Sequence, residues 1–156
     1  MEAREWKFKE EFEELPKGLW SDEPDKKQWT DPTTGLPCLI VRNKLGALCG
    51  YVGVSKTHPD FGKHYGEVPV DAHGGLTFSD RCDGSERGIC HVVDPSEDDE
   101  VWWLGFDCAH GSDGVPGMER YGMFFDGPYR TVEYVTEQVA KLARQLAARA
   151  AEKRQG

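Results

Sequence analysis

The side chains best suited to chemistry lie in the segment Val101 to Asp113, VWWLGFDCAHGSD. Its first half consists of aromatic and branched residues, which favour a β-strand. Its second half is polar and places Asp107, Cys108, His110 and Asp113 within seven positions. A rigid strand that ends in a polar loop is a common support for ligating or reactive side chains. The segment is therefore predicted to form one wall of a functional site.

A second segment, DAHGGLTFSD at positions 71–80, has a similar composition. A histidine precedes two glycines there, and glycines allow tight turns and close approach of the backbone to a ligand. We expect the two segments to form the walls of one pocket. The residues predicted to bind a ligand in it are His73, Gly74, Gly75, Thr77, Trp103, Asp107, His110 and Asp113.

Four of these residues form a candidate metal site. Two imidazoles and two carboxylates, from His73, Asp107, His110 and Asp113, suit zinc or manganese. The other interpretation is a hydrogen-bonded network that only holds the loop together. The spacing matches no recognised metal motif, so both interpretations stay open, as does the question of whether the protein is an enzyme.

The five cysteines allow two further interpretations. Cys108 with a nearby histidine and aspartate has the composition of a cysteine hydrolase, although a buried inert thiol is the simpler explanation. Cys82, Cys90 and His91, with Cys108 or His110, could make a structural zinc site, but no CxxC motif is present. In a reducing compartment, all five are expected to be thiols or metal ligands.

Length and charge limit the class of protein. A chain of 156 residues suits one domain. The net charge of −9, from 28 acidic and 19 basic side chains, disfavours general nucleic-acid binding. It leaves room for one small anionic ligand in a locally basic pocket. No apolar run approaches the roughly 20 residues of a membrane span, and the charged N-terminus is no signal peptide, so a soluble cytoplasmic protein is expected.

The residue pattern predicts an α+β fold, with a mainly antiparallel sheet of about five strands packed by a long C-terminal helix. A hairpin is expected over 37–54. Apolar residues spaced by three and four predict a helix over 131–151, with Thr131 as its N-cap. The single domain, 1–156, is expected to comprise a loop-rich extension (1–36), the sheet and site loops (37–128), and this helix.

Three finer features follow from the pattern. The segment Gly88 to Val93 (GICHVV) is predicted to form another strand. Gly50 and Gly53, inside the second strand of the hairpin, indicate a bulge or a close approach by another group. Strand alternation places Trp102 and Trp103 on opposite faces, and an exposed ring from this pair would favour a homo-oligomer.

The two segments DAHGGLTFSD and WWLGFDCAHGSD, taken together, resemble a family of small phage and prophage proteins. Its members share a His-Gly-Gly-Leu-Thr-aromatic segment and a later Trp-x-Gly-Phe-Asp-Cys-Ala-His segment followed by an aspartate. The resemblance covers roughly Gly50 to Leu146. It implies a phage-linked gene whose product acts in the host cytoplasm, but it brings no chemistry of its own. Small accessory phage proteins often oppose host defences, some by sequestering nucleotide signals.

The expected function is therefore a phage-type binder that sequesters a small ligand, a nucleotide-derived signal of host defence, between the two segments. A base stacked on an aromatic ring there would gain about 1–3 kcal/mol. The alternative is a metal-dependent hydrolase that uses the same histidine, aspartate and cysteine cluster. A second alternative is an acidic inhibitor that binds a host protein through the run DPSEDDE at 94–100.

Overall fold

The computed structural model describes residues 3–13, 15, 17–82, 87–91, 100–110, 113–117 and 128–155, with side chains to residue 152. Within these residues, six strands form one sheet in the order β1-β2-β3-β4-β6-β5, and all neighbouring strands are antiparallel. A long C-terminal helix packs on the sheet. The predicted α+β fold is confirmed, with six strands rather than about five.

The strands are β1 (Arg4–Trp6), β2 (Lys26–Thr30), β3 (Pro37–Arg42), β4 (Leu48–Val54), β5 (Phe78–Arg81) and β6 (Trp102–Asp107). The α-helices are α1 (Lys9–Phe12) and α2 (Val132–Gln155). Short 3-10 turns span Leu19–Asp22 and Tyr65–Glu67. Among the described residues, no helix has the length and apolarity that crossing a membrane requires.

The central strands β3, β4 and β6 bury both of their faces, which explains their nearly continuous apolar sequences. One face packs under α2, and the other forms a second core around Leu39, Tyr51 and Trp103. Trp102 packs against the first core and Trp103 belongs to the second, so the predicted alternation is confirmed. Neither ring is exposed, which removes the argument for a homo-oligomer that rested on an exposed tryptophan.

Helix α2 lies directly on β4. A Cβ atom on Gly50 would be 2.7 Å from Cγ2 of Val139 and 2.6 Å from Cζ of Phe106. Gly53 is equally crowded, with Trp103 as one of its neighbours. The register of β4 against β6 is continuous through both glycines, so close approach, and not a bulge, is the reason for them.

The start of α2 is fixed by two side chains. The hydroxyl of Thr131 accepts a hydrogen bond from the Tyr134 amide at 3.2 Å, which confirms the predicted N-cap. The carboxylate of Glu23 accepts from the Val132 amide at 2.7 Å and from the Tyr129 hydroxyl at 2.7 Å. An acidic group at this end also interacts favourably with the helix dipole.

Two predicted features are wrong. The expected loop-rich extension contains β2, whose Lys26 and Gln28 are almost fully buried between β1 and β3. Its buried positions hold polar residues, so a search for alternating apolar residues does not find this strand. Lys26 can be buried because its Nζ atom donates to a distant partner, the Cys90 carbonyl, at 2.8 Å. In the expected strand over 88–93, residues 88–91 are not in a strand, and 92–93 lie outside the described residues.

A disulfide links Cys82 and Cys90. The expectation of five thiols or metal ligands is therefore wrong for this pair, and the structural zinc site built on it is not formed. The other cysteines, Cys38, Cys49 and Cys108, are free and buried.

Candidate functional site

The two segments predicted to form the site meet in space. The Nε2 atom of His73 lies 2.9 Å from each carboxylate oxygen of Asp113. The His110 ring lies beside them, with its Nδ1 atom 3.4 Å from Oδ2 of Asp113 and its centroid 5.7 Å from that of His73. We call this group, together with Arg130 and Tyr134, the Asp113 cluster.

Glycines and the edge of the sheet bring the segments together. Gly74 has a φ of +69° and Gly75 a φ of +88°, a left-handed turn that is costly for other residues. A Cβ atom at Gly74 would collide with the His110 imidazole, so the turn and the ring fit only without a side chain. The Thr77 hydroxyl then donates to Oδ2 of Asp107 at 3.1 Å and ties the turn to the end of β6.

Asp113 is the buried centre of the cluster, with no exposed surface. Oδ1 accepts from Nε of Arg130 at 2.8 Å, and Oδ2 accepts from the backbone amide of His110 at 3.1 Å. Burial alone would raise the pKa of Asp113, but the hydrogen bonds from Arg130, His73 and His110 outweigh it and lower the pKa. The carboxylate is therefore ionised in the folded protein at neutral pH.

The imidazole of His73 is bonded at both nitrogens. Because the Asp113 carboxylate is an acceptor, Nε2 of His73 carries the proton. Its Nδ1 atom lies 2.6 Å from the Tyr134 hydroxyl, which donates to it. Burial raises the pKa of Tyr134, an effect that Arg130 partly offsets, so this hydroxyl keeps its proton. Tyr134 thus orients the ring of His73 from the first turn of α2.

His110 contributes the atom of the cluster that lacks a bond. Its Nδ1 atom is buried and has no hydrogen-bond partner in the described part of the chain. The nearest carboxylate oxygens are those of Asp113 at 3.4 Å and Asp107 at 3.7 Å. A buried polar atom without a partner costs free energy and calls for an explanation, such as the ability to bind an ion.

The spacing of these atoms suits a small divalent ion. Ligand atoms of His73, His110 and Asp113 all lie within 4.8 Å of one another. A tetrahedral ion with bonds of about 2.0–2.2 Å holds its ligand atoms about 3.3–3.6 Å apart. The separation of 3.4 Å between Nδ1 of His110 and Oδ2 of Asp113 lies in that range, whereas the 2.9 Å between Nε2 of His73 and Oδ2 of Asp113 is a hydrogen-bond distance that an ion would lengthen. If Nε2 of His73 held an ion, its Nδ1–H would donate to the Tyr134 hydroxyl, and such a bond orients metal-binding histidines.

Asp107, the fourth predicted metal ligand, borders this group without joining it. Its Oδ1 atom accepts from the Ala109 amide at 3.0 Å, and its other oxygen binds Thr77. The side chain is one-third exposed. Asp107 is therefore placed to contact a ligand at the cluster and not to complete the coordination of an ion.

The structure also places three other predicted residues, Trp103, Gly75 and Cys108. Trp103 is fully buried in the second core, so the expectation that its ring contacts a ligand is corrected. Gly75 has open space where a Cβ would be, and its φ of +88° is what restricts substitution; its predicted contact with a ligand stays a prediction. Cys108 is buried in the core, and its pKa is raised by burial and then by the charge of Asp113, which favours the inert thiol over a nucleophile.

Sequence reasoning missed Arg130 and Tyr134. The guanidinium carbon of Arg130 lies 4.8 Å from the centroid of the Tyr134 ring, which its position four residues earlier allows. Two other basic residues contact groups outside the cluster: Lys63 lies 3.3 Å from Asp60, and Arg87 lies 3.7 Å from Glu11. The signal in the sequence was the four-residue separation of Arg130 and Tyr134 at the start of the predicted helix, a separation that brings two side chains together.

A cavity of about 550 Å³ opens on a different part of the molecule, against α1 and the first 3-10 turn. No residue of the Asp113 cluster lines it. Its lysines (Lys7, Lys9 and Lys17) are matched by the carboxylates of Glu13, Asp22 and Asp25. This balance of charge selects no class of ligand.

No family model matches the chain, and the comparisons with curated proteins and with solved structures find no match. The resemblance to a family of phage proteins therefore stays a prediction.

Proposed function

We propose that this chain is a small-ligand-binding protein that holds its ligand at a divalent metal ion bound by His73, His110 and Asp113. The observation that carries the proposal is the buried Nδ1 atom of His110, which faces the Asp113 carboxylate without a hydrogen bond. Three protein ligands leave at least one coordination position open, as in metal sites that bind a further molecule.

The chemistry of the ligands favours zinc or manganese, because imidazole and carboxylate groups suit both ions. Binding would displace the proton on Nε2 of His73, since a metal-bound imidazole must offer a lone pair. Nδ1 would then carry the proton and donate to the Tyr134 hydroxyl. Affinity for the ion is accordingly expected to fall as the pH falls.

The identity of the ligand as a nucleotide-derived defence signal is the finer part of the proposal. Because Trp103 is buried, a nucleotide base cannot stack on its ring, and this residue no longer supports the proposal. The support that stays is the polar character of the accessible side chains, His110, Asp107 and Arg130, which are one-quarter to one-third exposed. Calorimetry of the metal-loaded protein against cyclic and ADP-ribose-type nucleotides tests this part, and a folded protein that binds none of them would refute it.

The metal centre itself is tested by elemental analysis and calorimetry on protein without a histidine tag. We expect about one zinc or manganese ion per chain, and its loss in His110→Ala. The matched control is His64→Ala, because His64 is an exposed histidine outside the cluster. Equal and undiminished metal binding in both variants, or none in the folded parent protein, would refute the proposal.

A metal-dependent hydrolase is the second candidate function, and Asp107 favours it. A partly exposed carboxylate beside the ion could accept a proton from a metal-bound water. Recovery of a bound ligand after heating separates the candidates: an unchanged ligand favours binding alone, and a cleaved one favours hydrolysis. Asp107→Asn should abolish cleavage while metal content is retained. The acidic-inhibitor alternative concerns a run of which 94–99 lie outside the described residues, and it stays a prediction.

A further inference from the structure

Arg130 is held in place but only partly used. Its Nε atom donates to Asp113 at 2.8 Å, and its guanidinium lies over the Tyr134 ring. Within the described residues, neither Nη atom makes a hydrogen bond. The contrast with Arg42 is clear, because Nε and both Nη atoms of Arg42 bind groups of the chain. The side chain of Arg130 is 23% exposed, whereas that of Arg42 has no exposed surface.

The fixed end of Arg130 determines where its free end lies. Nε donates to Asp113 at 2.8 Å, and both Nη atoms are bonded to the same carbon as Nε, so the free end of the guanidinium is fixed near the carboxylate that would hold the ion. A guanidinium orients two parallel donors toward a phosphate or carboxylate, and an arginine fixed in advance loses less freedom on binding. A ligand bound at the open position of the ion would therefore lie within reach of these donors.

Of the two anions, phosphate matches the arrangement better. A terminal phosphoryl group has three oxygens, so one can bind the ion while two accept the paired hydrogen bonds of the guanidinium. A carboxylate has two oxygens and must give up one of those bonds to reach the ion. The positive charge of the ion and of Arg130 together outweighs the negative charge of the Asp113 and Asp107 carboxylates, so the cluster favours an anionic ligand.

We propose that the ligand of the Asp113 cluster carries a terminal phosphate, bound jointly by the metal ion and by the Nη atoms of Arg130. This inference rests on the proposed metal site and adds the chemical class of the ligand. Arg130 is then the residue that selects phosphorylated ligands over carboxylates.

The test uses the full chain loaded with one equivalent of manganese, with pyrophosphate, inorganic phosphate and acetate as probes in calorimetry. We expect the two phosphates to bind and acetate to bind at least about tenfold more weakly, the difference that one charge-assisted hydrogen bond produces. Arg130→Lys keeps the charge but not the paired donors, so it should lose about tenfold in affinity for pyrophosphate. Arg144→Gln, at an exposed position on α2, is the matched control and should bind like the parent.

Manganese affinity and thermal unfolding are measured for each variant, because Arg130 also orients Asp113. A purely structural role would weaken manganese and pyrophosphate binding equally and leave the preference for phosphate over acetate unchanged, which would overturn the inference. A parent protein that binds manganese but no phosphate would overturn the inference and leave the metal site intact. A parent that binds no manganese would overturn both.

Discussion

Two buried aspartates on this molecule have nearly the same neighbours but differ in how completely those neighbours are bonded. Asp60 and Asp113 each have no exposed surface, and each accepts hydrogen bonds from an arginine in or next to α2. Each also has a histidine close by in the chain or in space. The composition of the two clusters therefore does not separate a structural role from a functional one.

The Asp60 cluster, with His58, Lys63 and Arg149, is closed. Arg149 donates to both oxygens of Asp60, at 2.6 Å and 2.8 Å. Nδ1 of His58 accepts from the Asp60 amide at 3.0 Å, and its Nε2 donates to the Leu146 carbonyl at 2.7 Å. Both oxygens of Asp60 and both ring nitrogens of His58 are bonded, and the cluster fastens a loop to the second half of α2.

The Asp113 cluster is open. His110 retains a buried nitrogen without a partner, and Arg130 retains two donors without one among the described residues. The unpartnered buried nitrogen, and not the types of side chain, is the reason for proposing this cluster as the site. The difference predicts that mutations at Asp60 affect stability, and that mutations at Asp113 affect binding.

The largest effect on stability is expected for Arg149→Ala. It leaves the buried Asp60 carboxylate with only the partly exposed Lys63 as a cationic partner. Removing one partner of a buried ion pair typically costs about 3–5 kcal/mol of unfolding free energy. Urea denaturation measures the loss, and Lys141→Ala at an exposed helix position is the control. A loss no larger than that of the control would show that the Asp60 cluster is not structural.

Gly74→Ala should be the next most damaging change, and its matched control is Gly62→Ala. Gly62 has a φ of +82° but nothing within 4 Å of a built Cβ, whereas a Cβ on Gly74 would meet the His110 ring. The control should lose about 1–2 kcal/mol from backbone strain alone. Gly74→Ala should lose a further 1–3 kcal/mol, roughly the cost of overpacking, and also its metal affinity. Equal losses would place His110 away from Gly74.

The variants His58→Ala and His110→Ala should differ in unfolding free energy when no metal is added. His58→Ala leaves the buried Asp60 amide without its partner and removes the side-chain bond to the Leu146 carbonyl, at a cost of about 1–3 kcal/mol. His110→Ala removes a nitrogen that has no partner, and should cost less than about 1 kcal/mol. Thermal and urea unfolding compare the pair directly. A reversed order would contradict the distinction between the closed and the open cluster.

The smallest effect is a change in acid sensitivity. Burial would raise the pKa of Asp60, but Arg149 and Lys63 outweigh it and lower the pKa. A lowered folded-state pKa stabilises the protein above the unfolded value, about 3.9, and this contribution is lost as the pH falls through the folded value. Arg149→Ala removes the main cause of the lowering, so unfolding free energy should decline less steeply below about pH 4. Urea denaturation at a series of pH values measures the slope, and an unchanged slope would contradict the assignment.

Much of the fold follows from local sequence patterns. The stripe of Val135, Val139, Leu142 and Leu146 predicts α2, and these residues are indeed fully buried. The hairpin of β3 and β4 and the aromatic strand β6 were predicted for the same reason, since their side chains suit a sheet buried on both faces. By contrast, β2 was missed because its buried Lys26 depends on a carbonyl 64 positions away.

For the site, sequence alone determined the candidate residues: two segments rich in histidine, aspartate and glycine. Only the tertiary structure decided which of them meet, because Arg130 and Tyr134 reach the cluster through the packing of α2 over Gly50. It also decided that Trp103 belongs to the core and that, among the described residues, the Asp113 cluster keeps a buried nitrogen without a partner whereas the Asp60 cluster has none. Residue types specify which bonds a side chain is able to make, whereas the three-dimensional positions of its neighbours determine which of those bonds are made.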